Sequence, residues 1–179
     1  MDEQAVSSTE PSSYNEAVIS SDKDHWQLAM QAEFDSLQRN KTWTLFELPK
    51  DRSPIKSMWI LKITMNADGQ VDRYKARLVA QGFSQKYGVD YSETFSPVAT
   101  LPTIRTLIGR KARGYTVHHV DVDTGYLNLY LDTEIYLTQP QGFQVQNNQG
   151  KVLVYRLKKA IYGLKQAAPP VIVIFVTFF

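Results

Sequence analysis

The sequence predicts an α+β fold of antiparallel hairpins with short helices. Two observations carry this expectation. Trp26, Met30, Phe34 and Leu37 recur at i, i+4, i+8 and i+11, which is one face of a helix. Residues 57–66 and 71–80 alternate with period two on either side of Asn66-Ala67-Asp68-Gly69, a turn by composition, and form the clearest hairpin in the chain.

Residues 1–13 are rich in Ser, Thr and Glu and contain Pro11, so they read as a disordered lead-in. Asp22 or Asp24 can cap the helix that follows, and Arg39 and Lys41 suit the negative pole at its end. Trp43-Thr44-Leu45-Phe46 is a short strand, stopped by Pro49. In the hairpin, Trp59, Leu61, Ile63 and Met65 share one face, with Lys62 and Thr64 on the other. On the return strand Tyr74, Ala76, Leu78 and Ala80 share one side, and Arg73, Lys75 and Arg77 the other. Residues 81–97 form a polar connection with turn signals at Gly82 and Gly88. A short helix begins at Pro102 and ends by Gly114, and a strand over 115–122 delivers Asp121. Residues 134–137 and 152–157 make a second hairpin-like pair about a turn at 147–150, and Lys158 to Gln166 opens a further helix.

Composition narrows the function classes. Hydrophobic content of 43% supports a core, which argues against wholesale disorder. A net charge of +2 is too small to argue nucleic-acid binding globally, so local patches must carry it. The absence of cysteine excludes disulfides and Cys-based zinc sites. No secretory signal is expected, because no apolar run follows Met1-Asp2-Glu3-Gln4. Val171 to Phe179 is apolar for only nine residues, against roughly 20 for a spanning helix, so no membrane segment is expected.

Three features carry candidate chemistry. Arg73, Lys75 and Arg77 make a ridge about 13 Å long, at roughly 3.3 Å per residue. Such a ridge can follow a phosphate backbone or grip a triphosphate; it also fits a solvated sheet face. Asp121 and Asp123 lie at i and i+2 at a strand end, where two carboxylates can hold Mg²⁺. An Asx turn and a glycosyltransferase-like Asp-x-Asp are the competing readings there. His118 and His119 read as structural, His25 as isolated and silent, and Trp26, Trp43 and Trp59 as core. Gln139-Pro140-Gln141-Gly142-Phe143 is a turn in which Gly142 permits close backbone approach.

Seven ordered blocks point further. They are Trp26-x3-Met30-x2-Glu33-x3-Leu37-x2-Asn40-x-Thr42-Trp43; Tyr74-Lys75-Ala76-Arg77-Leu78-Val79-Ala80-Gln81-Gly82-Phe83; Gly88-Val89-Asp90-Tyr91-x-Glu93-Thr94-Phe95-Ser96-Pro97-Val98; Ile104-Arg105; Asp121-Val122-x-Thr124-x-Tyr126-Leu127-Asn128; Glu134-Ile135-Tyr136-x2-Gln139-Pro140-x-Gly142-Phe143; and Tyr162-Gly163-Leu164-Lys165-Gln166-Ala167. Over residues 14–168 they resemble the N-terminal part of the reverse transcriptase domain of copia-type LTR retrotransposon polyproteins. Residues 169–179 fall outside the likeness and read as an aberrant hydrophobic tail.

The resemblance implies an incomplete right-hand polymerase, with fingers and part of the palm. It implies RNA- or DNA-templated DNA synthesis from dNTPs on a primer–template, with two Mg²⁺ ions. An intracellular setting, in a cytoplasmic virus-like particle or the nucleus, follows in the same way. Asp121 matches the first catalytic aspartate, with the Val122 carbonyl completing a metal shell. Tyr126 matches the aromatic beneath the incoming sugar, Gln141 a glutamine touching the dNTP, and Lys75 and Arg77 the fingers cations that meet the triphosphate. Arg73, Lys75 and Arg77 become a nucleic-acid contact.

The departures are specific. Gly125 stands where the family usually has Ala, and Leu129 where it usually has Gly. Asp123 stands at a usually non-acidic position, and no adjacent Asp-Asp pair occurs in the 179 residues. The chain is therefore expected to be a truncated domain that polymerises nothing alone. A non-catalytic nucleic-acid-binding remnant and a pseudogene product are the alternatives.

Overall fold

The computed structural model describes residues 10–92 and 130–166, together with Pro102, Arg105, Thr106, Ile108 and Gly109, which are helical. Helix α1 (Tyr14–Ile19) and helix α2 (Lys23–Arg39) precede strand β1 (Trp43–Phe46), the hairpin β2 (Ser57–Met65) and β3 (Val71–Ala80), and strands β4 (Tyr130–Thr138) and β5 (Val154–Lys159). The architecture is mixed α and β, with antiparallel sheets in the order β1-β5-β4 and β2-β3.

Helix α2 buries the expected stripe: Trp26, Met30, Phe34 and Leu37 are all in the core. Asp22 holds the N-cap position, yet its side chain makes no capping hydrogen bond. At the other end Thr42 N donates to Leu37 O (3.1 Å) and Lys41 N to Gln38 O (2.9 Å), with Lys41 at φ 52°. These bonds satisfy the last carbonyls and turn the chain into β1. Helix α1 was not expected, although its signal is present. Ser13 Oγ accepts from Glu16 N, and the Glu16 carboxylate reaches back to Ser12, which is a variant of the capping box. Ahead of it Pro11 is buried and Glu10 contacts the hairpin.

The hairpin has the expected faces as far as Ile63; past a register shift between Thr64 and Met65, Met65 is exposed and not on the core side. Trp59 pairs with Leu78 and Leu61 with Ala76, and all four are buried. Asn66 Oδ1 accepts from Asp68 N and Gln70 N, closing the turn. Asn147 Oδ1 does the same with Gln149 N and Lys151 N between β4 and β5. The sheets meet at Ile55, which donates to Tyr136 O (2.7 Å) and accepts from Thr138 N (2.8 Å). Trp26 and Trp59 are core as expected, while Trp43 is half-buried and stacks on Tyr155 at 4.4 Å.

The helix expected over 158–166 is not formed. Lys158 and Lys159 finish β5, and turns follow. Tertiary contacts override the local propensity. Ala80 N donates to Tyr162 O (2.8 Å), and Gly163 takes φ 86°, which a helix does not allow. Beyond it Gln85, Lys165 and Gln166 bind one another: Gln85 Nε2 donates to Gln166 Oε1, and Lys165 N to Gln85 Oε1, both at 2.8 Å. Gln166 Nε2 also donates to Asp90 O, and Lys165 Nζ to Tyr91 Oη. This polar joint ties residues 82–91 to the end of β5. Among the described residues no helix is long and apolar enough to cross a membrane.

Candidate nucleic-acid interface

Strand β3 places Arg73, Lys75 and Arg77 on one exposed face because side chains alternate along a strand. Across the ladder they oppose Thr64, Lys62 and Ile60. Lys62 therefore belongs to the ridge, and the alternation already put it on the wet side. Two lysines directly opposite each other cost stability. Glu10 answers one of them: its carboxylate accepts from Lys62 Nζ and from Ile63 N (3.0 Å), and these bonds hold it below the usual carboxylate range. Among the described residues Arg73, Lys75 and Arg77 enter no salt bridge. Such a row of exposed cations suits a polyanion.

The free edge of β3 faces α2. Leu78 N donates to Glu33 Oε1 (3.4 Å) and Ala80 N to Tyr162 O, so both point away from β2. Alternate residues of an antiparallel strand direct their backbone groups to the same side, so Tyr74 and Ala76 present theirs here too. The open groove between α2 and this edge has a volume of about 960 Å³ and is lined by Glu33, Arg39, Arg73, Lys75, Arg77 and Tyr162, among others. The Arg77 guanidinium lies over the Tyr162 ring, 5.1 Å from its centroid. His25, read as silent, stacks on Tyr74 at 4.8 Å and 7°, a contact with no sequence signature.

Burial pushes the Glu33 carboxyl above its ordinary value of 4.5, against the Leu78 amide and the Arg77 charge, which both pull it down. The folded chain thus holds this proton more tightly than the unfolded chain. The group weakens the fold as pH rises through and beyond the ordinary value. Glu33→Gln keeps an acceptor for Leu78 N, so it is expected to raise Tm at neutral pH and leave it unchanged in acid. Melting curves at the two pH values check this; equal shifts at both would contradict it.

Gln141 is exposed, and its carbonyl accepts from Trp59 Nε1 (3.2 Å). Trp59 lies on the core face of the hairpin, so Gln141 is anchored on the face opposite the cations. The fold does not bring it together with Lys75 and Arg77. Gly142 justifies its place: it has φ 87°, and a Cβ there would sit 2.6 Å from Tyr14 Oη. Asp121, Val122, Asp123, Tyr126, His118 and His119 lie outside the described residues. Among the described residues no group of three or more acidic or histidine side chains could hold a metal ion.

The fold and the ridge define a mixed α and β module with a cationic hairpin face. Comparison with known proteins makes this particular. The family profile "Reverse transcriptase (RNA-dependent DNA polymerase)" matches residues 40–174. The chain is 44% identical over 159 residues to the Retrovirus-related Pol polyprotein from transposon TNT 1-94 of Nicotiana tabacum, covering 88% of this chain and 12% of that protein. It is 42% identical over 146 residues to the Retrovirus-related Pol polyprotein from transposon RE2 of Arabidopsis thaliana, covering 80% of this chain and 10% of that protein. It is 38% identical over 165 residues to the corresponding polyprotein from transposon RE1 of the same plant, covering 91% and 11%. The chain thus spans about a tenth of the length of these curated relatives. No solved structure matches it significantly. The chain belongs to the reverse transcriptase family, as part of the reverse transcriptase domain of a copia-type retrotransposon Pol polyprotein. That family uses divalent metal ions generally.

Proposed function

We propose that residues 14–168 are the fingers and the start of the palm of a right-hand polymerase, and that the exposed β3 face meets nucleic acid. The complete enzyme is an RNA-directed DNA polymerase that copies a primer–template from dNTPs. The observation that carries this reading is the row Arg73, Lys75 and Arg77, exposed and, among the described residues, outside any salt bridge, within a chain of this family. Lys75 and Arg77 are the residues for the incoming triphosphate, with Tyr126 and Gln141 as further dNTP contacts. Gln141 needs a path to the nucleotide other than the cationic face. Asp121 is the catalytic position, and with the Val122 carbonyl it is one shared ligand of a site for two Mg²⁺ ions. Such ions supply charge stabilisation to phosphoryl transfer. The remaining ligands are not found in this chain, which has no adjacent Asp-Asp pair, so no step is assigned to it alone.

The test has two arms. The purified chain is expected to bind a primer–template with affinity that falls steeply with salt, because each phosphate neutralised contributes a log–log slope of roughly −0.9. With dNTPs and Mg²⁺ or Mn²⁺ it is expected to extend no primer. Affinity independent of salt would sink the binding role; extension abolished by Asp121→Asn would overturn the inactivity of the isolated chain.

A further inference from the structure

We infer that Tyr162 is a positioning residue for the cationic face, acting through Arg77. The inference rests on the nucleic-acid reading of that face. Arg77 is exposed, yet its guanidinium lies 5.1 Å over the Tyr162 ring. Among the described residues no ring contact of this kind involves Arg73 or Lys75, and neither forms a salt bridge. The ring belongs to a segment with little freedom. Tyr162 O accepts from Ala80 N at 2.8 Å, two residues along from Glu33 Oε1 on Leu78 N. Gly163 then seats the chain directly against Ala80 O and Val79 Cγ1. On the other side Ile161 is buried in the core. The aromatic plane is thus fixed to the end of β3, three residues from Arg77.

An arginine on a strand face otherwise loses rotamer entropy when it grips a phosphate, and a planar fork held beforehand loses less. The stacking is worth about two- to five-fold in an equilibrium constant, the range for exposed cation–π contacts. Arg77 is accordingly the oriented cation of the ridge, aimed at a phosphodiester oxygen. Arg73 and Lys75 act as point charges beside it.

The experiment measures primer–template affinity by fluorescence anisotropy across a salt series. The chains are wild type, Y162F, Y162L, R77K, R77A and R77A/Y162L, each with a melting curve. Y162F is expected to bind as wild type. Y162L and R77K are expected to lose about two- to five-fold with little change in salt slope, since the charge is retained. R77A should lose more and lower the slope, and adding Y162L to it should cost nothing further. R77K changes only an exposed side chain, so it reports even if Y162L melts early. Full wild-type affinity in R77K, or additive losses in the double variant, would overturn the positioning role while leaving the binding face intact. A wild-type chain that does not bind the primer–template would overturn both readings together.

Discussion

Gly163→Ala is expected to destabilise the chain by about 3 kcal/mol, lowering Tm by roughly 6–12 °C. Two costs combine. Gly163 sits at φ 86°, where an L side chain is strained by about 1 kcal/mol or more. In addition a Cβ would fall on the Ala80 carbonyl oxygen and 2.6 Å from Val79 Cγ1, so backbone and not a flexible side chain must yield. The bond from Ala80 N to Tyr162 O lies in the way of that movement, and the polar joint of Gln85, Lys165 and Gln166 follows directly. Gly82 faces the same interface: a Cβ there would meet Gly163 O. Gly69→Ala is the control. It has φ 75° with nothing within 4 Å of a Cβ, so it bears the strain without the collision. Thermal unfolding of both variants separates the terms. Equal losses would show that the approach of the 161–164 turn to β3 does not hold.

The same glycine marks where the fold stopped being legible in the sequence. The β2–β3 hairpin could be read because its signals are local: a period of two, and an Asn-x-Asp-Gly turn whose asparagine caps two amides. Helix α2 could be read because four large apolar residues mark one face. Residues 158–166 misled because nothing local announces that Ala80, some eighty residues earlier, binds Tyr162. The candidate site divides in the same way. Alternation alone put Arg73, Lys75 and Arg77 on a common face; the register across the ladder adds Lys62 to them. That Glu10 neutralises Lys62, that Glu33 caps the β3 edge and that Tyr162 underlies Arg77 are long-range facts, invisible to any window. Gln141 illustrates the reverse case: a motif position whose nearest anchor, Trp59, is on the other side of the hairpin from the cations.

Replacing Arg73, Lys75 and Arg77 together with alanine is expected to weaken primer–template binding roughly 10- to 100-fold at low salt and to reduce the log–log salt slope by about 2 to 3 units. The slope matters more than the affinity, because it counts the counterions released as phosphates are neutralised. The fold should suffer little. All three side chains are exposed and, among the described residues, none enters a salt bridge; removing Lys75 relieves its repulsion with Lys62 across the ladder, while removing Arg77 gives up its contact with the Tyr162 ring and its charge beside Glu33. Tm is therefore expected to change little, because the two effects oppose each other. Lys62→Ala should act differently. Its ammonium is held by Glu10, so its loss changes the slope by well under one unit, whereas Glu10→Gln frees it and strengthens binding. Anisotropy titrations of these variants distinguish a contact surface from a solvated one. If the triple variant kept the wild-type slope, the ridge would be an ordinary wet sheet face, and its like-charged lysine pair would have no compensating use.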